Sequence, residues 1–151
     1  MTVRISTSLA EAVAAAYKSA LDGGFLAIFS GPVPATAEAA IDMASDLLVT
    51  ISIDGLGVTG LTFTDTGGGV LVKNAGETWK GTSGTSGVAT FYRFYESGDD
   101  PSASSSSTVR FQGTVGTTPY GYDLVLPSTT IGSSVEVPIA GFTVTCPLVG
   151  C

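Results

Sequence analysis

The chain reads as mainly β: a β-sandwich or jelly-roll-like domain of about nine strands with one N-terminal α-helix, a single domain over residues 1–151. Three features point there. Short apolar or alternating runs follow one another from residue 25 to the C-terminus. Turn-forming residues separate these runs. One segment near the N-terminus carries helical periodicity instead.

That segment opens with Ser8-Leu9-Ala10-Glu11, the spacing of a capping box, in which serine and glutamate side chains reciprocally accept from free backbone N–H groups. Leu9, Val13, Ala16, Tyr17, Ala20 and Leu21 recur at helical spacing, and Asp22-Gly23-Gly24 supplies a terminating glycine. The helix is expected over 8–21, its alanine-rich face covering one side of a β core. The expected strands are 25–30, 47–53, 61–64, 70–73, 88–96, 108–115, 122–126, 135–139 and 142–146. Within 88–96, alternation sets Ala89, Phe91, Arg93 and Tyr95 against Val88, Thr90, Tyr92 and Phe94, which predicts a strand covered on both faces. The segment 77–80 holds Trp79 and reads as a strand edge or a short helical turn.

The connections 31–46, 65–69, 81–87 and 97–107 are rich in small residues, and 35–44 has the composition for one or two helical turns. Gly67-Gly68-Gly69 lacks the Gly-Lys-Ser/Thr sequel of a phosphate-binding loop and is expected to form a tight turn.

Composition then narrows the function. Only 13% of residues are charged, about half the usual share, while 44% are hydrophobic and twenty are glycine. A neutral surface of this kind loses little hydration when it docks onto protein, so the chain is expected to work by packing against other protein copies. Its net charge is −7, and six scattered basic residues offer no cluster for a row of phosphates, so nucleic acid is not an expected partner. The apolar runs 25–29 and 47–53 are far shorter than the roughly 20 residues a membrane helix needs, and neither a membrane span nor classical secretion is expected.

The sequence contains no histidine, which removes Ser-His and Cys-His nucleophile activation along with the commonest metal ligand. Two cysteines alone do not make a tetrahedral zinc site. Cys146 and Cys151 either close a small loop or stay as thiols, and reduced thiols are the preferred reading. No catalytic residue, cofactor or metal site is assigned. Glu77, Glu96, Asp99, Asp100 and Asp123 would have to pair for glycoside hydrolysis, or Glu96, Asp99 and Asp100 to cluster around calcium, and the preferred reading of all five is solvated surface acids.

The candidate interface residues are Arg93, Arg110, Tyr120 and Tyr122. The two arginines stand between apolar neighbours, in Tyr92-Arg93-Phe94 and Val109-Arg110-Phe111, and read either as buried partners of acids such as Glu96 or Asp123, or as interface anchors. The tyrosines, with Trp79, Tyr92 and Tyr95, suit cores and protein contacts more than a sugar platform.

The order of these segments carries a resemblance. The helix end at Asp22-Gly23-Gly24 leads into Phe25-Leu26-Ala27-Ile28-Phe29-Ser30-Gly31-Pro32-Val33-Pro34, and then come Asp46-Leu47-Leu48-Val49-Thr50-Ile51-Ser52 and Gly87-Val88-Ala89-Thr90-Phe91-Tyr92-Arg93-Phe94. Phe111-Gln112-Gly113-Thr114-Val115-Gly116, Asp123-Leu124-Val125-Leu126, Val135-Glu136-Val137-Pro138-Ile139 and Phe142-Thr143-Val144-Thr145 complete it. The pattern resembles small virion proteins of tailed bacteriophages. The resemblance implies a decoration (cement) protein on the capsid exterior that clamps the major capsid protein and associates with its own copies, made in the host bacterial cytoplasm. A head-tail connector or tail component and a carbohydrate- or receptor-binding module are the competing expectations. The segments 1–7, 97–107 and the tail 147–151 are the expected contact arms.

Overall fold

In the computed structural model, which describes residues 4–145, one helix precedes twelve strands. The helix, α1 (Thr7–Leu21), begins one residue earlier than expected, and its cap is Ser6, whose Oγ accepts from the Leu9 N–H at 3.2 Å. The expected capping box is therefore corrected. Ser6, Thr7 and Ser8 all carry capping hydroxyls, and Ser8 lies inside the first turn. At the other end the Asp22 N–H donates to Lys18 O at 2.9 Å and Gly23 takes φ +90°, as the glycine pair implied. Asp22 also accepts from the Phe63 N–H at 2.9 Å, which ties the helix end to the β layer. The helix buries Ala10, Ala14 and Leu21 against that layer.

The strands in the first half are β1 (Phe25–Phe29), β2 (Leu47–Ile51), β3 (Phe63–Asp65), β4 (Val70–Lys73), β5 (Trp79–Thr82) and β6 (Gly87–Val88). The second half holds β7 (Phe91–Tyr95), β8 (Arg110–Gly116), β9 (Leu124–Val125), β10 (Thr130–Ile131), β11 (Glu136–Ile139) and β12 (Thr143–Thr145). One sheet has the order β2-β1-β7-β8-β9, antiparallel except for the β8–β9 pair. Facing it are the three-stranded sheet β12-β4-β3 and the short ladders β11-β5 and β10-β6. Isolated bridges at Gly24–Leu61 and Ser52–Lys80 stitch the layers together at their margins. The result is a sandwich-like, mainly-β fold.

Two segments depart from expectation, each because of a partner distant in sequence. The run 88–96 is two strands, because the chain changes partner in its middle: the Ala89 N–H donates to Thr129 O, and the Thr90 N–H to Phe29 O. Of the two alternatives for 77–80 the strand holds, with Trp79 opening β5, and β10 is an additional two-residue strand whose sequence carries no periodicity to read. Residues 35–44 form turns instead of helix. The carbonyls of Thr36 and Ala39 turn toward an arginine of β7, and Thr36 O takes the Ala39 N–H at 3.3 Å in an i to i+3 turn instead of a helical bond.

The core lies between the layers. Leu26, Ile28, Val49, Ile51, Tyr92, Phe94 and Val115 of the large sheet meet Leu61, Phe63, Leu71, Trp79, Ile139 and Phe142. Phe63 stands edge-on to Trp79 at 5.3 Å, and Phe94 stacks on Phe111 at 4.9 Å. Phe142 touches both sets, with ring centroids 5.4 Å from Tyr92 and 6.0 Å from Trp79. Burying each such side chain contributes roughly 1.5–3 kcal/mol, so this cluster is what holds the layers face to face.

Close approach of the layers depends on glycine at one point: a Cβ on Gly81 would lie 2.1 Å from Thr50 O, whereas one on Gly84 would meet nothing within 4 Å. Gly81→Ala is expected to lower stability by about 2 kcal/mol or more in urea unfolding, and Gly84→Ala to change it by less than about 0.5 kcal/mol.

Candidate interaction surface

Strand register places Ala27, Phe91, Arg93, Tyr95, Arg110, Gln112 and Thr114 on the outer face of the large sheet, opposite the core. Ala27 and Phe29 of β1 with Phe91 of β7 form a second buried cluster there, the two phenylalanine rings stacked at 5.1 Å. The connections 31–46 and 97–108 cover this face in place of a sheet.

Arg93 holds the cover down. Its side chain is 0% exposed. Nη1 donates to Ala39 O at 2.9 Å and Pro101 O at 2.8 Å, and Nη2 donates to Gln112 Oε1 at 2.9 Å and Thr36 O at 3.3 Å. Gln112 continues the tie by donating Nε2–H to Pro34 O at 2.7 Å. Burial, followed by the nearby Arg110 charge, pushes the Arg93 guanidinium below its ordinary value.

Arg110 grips the second loop. It forms a two-point ion pair with Asp99 at 2.6 and 2.7 Å and donates to Ala103 O and Asp100 O, each at 2.7 Å. Hydrogen bonding to Arg110 lowers the Asp99 carboxyl below the usual carboxylate range, and the same bond raises Arg110. The partners differ from those anticipated. Glu96 accepts from the Val109 N–H, and Asp123 from the N–H and hydroxyl of Thr114, so neither pairs with an arginine. With Arg93 at 0% and the Arg110 side chain at 2% exposure, neither guanidinium is offered to solvent. The loop 97–107 lies against the sheet instead of reaching outward as an arm.

The remaining cations are also engaged internally. Lys18 pairs with Asp22, Lys80 with Glu136 at 3.2 Å, and Lys73 donates to Glu77 O at 2.6 Å beneath the Trp79 ring. Arg4 takes no part in these contacts among the described residues. Glu77 is likewise occupied, accepting from the Thr62 N–H and hydroxyl and from Trp79 Nε1–H at 2.7 Å. Among the described residues, no group of three or more acidic, Cys or His side chains is placed to hold a metal ion, and no helix is long and apolar enough to cross a membrane.

What faces solvent is poor in free cations, carries exposed acids such as Glu11, Glu38, Asp42, Asp46 and Asp65, and is partly apolar. Tyr120 is 86% and Tyr122 47% exposed, and Tyr122 lines a groove with Val33, Val88, Thr90 and Val115. The loop 53–60 carries a second apolar projection that sequence reading missed: Leu56 is 82% and Val58 76% exposed. This projection has a fixed base. Asp54 accepts from the Ser52 hydroxyl at 2.6 Å, the Leu56 N–H at 3.0 Å and the Thr59 N–H at 3.1 Å, while Gly57 N–H donates to Ser52 Oγ at 2.9 Å. Gly55 and Gly57 adopt φ +73° and +77°, a region that glycine enters without strain. The signal was present as Asp54-Gly55-Leu56-Gly57, an acidic turn residue followed by alternating glycines.

No protein-family model, curated protein or solved structure matches the chain. The surface is therefore interpreted from its own chemistry. Residues 1–3, the tail 147–151, Cys146 and Cys151 lie outside the described residues.

The bonds to Asp54, first that from the Ser52 hydroxyl, hold its carboxyl far below the usual carboxylate range. A depressed folded value means that its contribution is complete above the ordinary Asp pKa and is lost as pH falls through the folded value. Carboxyl NMR titration is expected to find Asp54 still ionised well below the ordinary Asp range. Protonation of Asp54 within that range would contradict a preorganised loop.

Proposed function

We propose that the chain is a structural protein of a tailed-phage particle: a decoration protein that binds the outside of the major capsid protein lattice and stabilises it by contact, without catalysis. The observation that carries this reading is the distribution of charge. Arg93 and Arg110 are buried and Lys18, Lys73 and Lys80 are paired within the chain, while apolar side chains reach solvent at Leu56 and Val58, on an ordered loop, and at Tyr120 and Tyr122. Such a surface is desolvated cheaply, and apolar side chains on an already ordered loop lose little further freedom on binding. On a lattice, many modest contacts of this type act together, which suits a cement role and self-association around symmetry axes.

The same surface suits a ring-shaped head-tail connector, and copy number separates the two. Quantitative mass spectrometry of purified particles is expected to find the chain at hundreds of copies; about a dozen would indicate a connector, as ring symmetry requires. Its absence from particles would overturn the virion reading. The high exposure of Tyr120 favours, as a second reading, a carbohydrate- or receptor-binding module. Glycan-array binding that disappears with Tyr120→Ala would support that reading in place of the first.

Within the decoration reading, the double change Leu56→Ser and Val58→Ser is expected to leave the unfolding midpoint nearly unaltered and to weaken binding to capsids at least about tenfold, the loss of one or two apolar anchors. Capsid binding at parental strength would remove this loop from the interface.

A further inference from the structure

We propose that residues 31–45 and 97–108 form one hinged cover that lifts from the large sheet as a unit, with Arg93 as its latch. Each segment leaves and re-enters the sheet through a closed neck, the construction of an Ω-loop. At the first neck the Ser30 N–H donates to Asp46 O at 3.0 Å and the Asp46 N–H returns to Ser30 Oγ at 3.0 Å. At the second, the Glu96 N–H donates to Val109 O and the Val109 N–H to Glu96 Oε1, both at 3.1 Å. Gly31 (φ +85°) and Gly98 (φ +88°) stand just inside the necks, where a hinge needs backbone freedom. The Arg110–Asp99 ion pair flanks the second neck, and Arg110 also holds Asp100 O and Ala103 O, so these bonds part when the cover lifts. Rotation about these necks leaves the β1–β2 and β7–β8 ladders paired.

Neither loop moves alone, because the two are bonded to each other. The Ile41 N–H donates to Ser102 O at 2.9 Å, and the Ser105 N–H donates to Glu38 O at 3.0 Å. Their attachment to the sheet is mainly polar, through Arg93, Gln112 and the Arg110 bonds to Asp99, Asp100 O and Ala103 O, with Ile41 packed on the Ala27–Phe29–Phe91 cluster. When such contacts part, the guanidinium and the loop carbonyls regain water, whereas parting the two β layers exposes the aromatic core without compensation. Opening of the cover therefore lies below global unfolding in free energy. The closed state is also imperfect: Arg93 Nε is buried with no acceptor, and none of the four acceptors of the guanidinium is a carboxylate. Opening uncovers the stacked Phe29–Phe91 pair beside a cation, an apolar face the closed chain keeps dry. This motion belongs to the chain alone and holds whatever particle the chain serves.

Native-state amide exchange followed by NMR tests the hinge on the unaltered chain. The Ile41 and Ser105 amides are expected to exchange through a common opening, with equal protection that is lower than that of β1 and β7. The variant Ile41→Ala, which loosens only the first loop, is expected to reduce protection at positions 41 and 105 by the same factor, about tenfold for a half-buried isoleucine, with β1 and β7 unchanged. A Ser105 amide indifferent to Ile41→Ala would overturn the single-unit cover. Equal protection of the cover and of β1 and β7 in the unaltered chain would overturn the opening itself.

Discussion

The structure depends on one buried cation. A sheet in a sandwich has two faces, and each must be covered if its side chains are apolar. The inner face of the large sheet meets the second β layer, but the outer face, with Ala27, Phe29 and Phe91, meets only two irregular loops. Irregular backbone makes a poor cover because its N–H and C=O groups need partners once water is excluded. Arg93 meets that need from beneath: a planar fork of donors, fixed at the centre of β7, that takes carbonyls from both loops at once. Lysine, with three donors around a point charge, cannot reproduce this geometry.

The same economy runs through the other charges. Arg110 fastens the second loop through Asp99, Lys73 and Glu77 organise the approach to Trp79, and Asp22 joins the helix end to β3. Charge that would otherwise cover the surface is used to join irregular segments to regular ones. The surface that remains is one of hydroxyls, glycines, scattered acids with few free cations, and a few apolar projections. The decoration reading rests on this surface chemistry and on the Asp54 loop, whose order precedes any partner.

Legibility in the sequence follows the range of the forces involved. Elements set by local chemistry were readable: the helix and its Asp22-Gly23 stop, the Gly67-Gly68-Gly69 turn with three positive φ values, and the strand 70–73, whose bounds agree. The wholly buried strand around Phe91–Phe94 was readable because both of its faces alternate through apolar residues. Elements set by distant partners were not. The helical composition of 35–44 yields to Arg93, more than fifty residues away, and the break at Ala89-Thr90 exists only because Thr129 and Phe29 lie on different ladders. The site was legible in part: Arg93 and Arg110 were singled out, yet their partners are loop carbonyls and Asp99 instead of Glu96 or Asp123. Residue type announces a buried arginine, while its acceptors depend on how the loops return.

The claim that Arg93 turns two loops into a working cover is tested most directly by equilibrium urea unfolding of Arg93→Met, a replacement of similar length without donors. Met would leave the carbonyls of Ala39 and Pro101 without their donor, and each buried unsatisfied group costs about 1–3 kcal/mol, so the account predicts a loss of about 2 kcal/mol or more. An Arg93→Met chain as stable as the parent, as found when some buried charges are exchanged for apolar side chains, would contradict it.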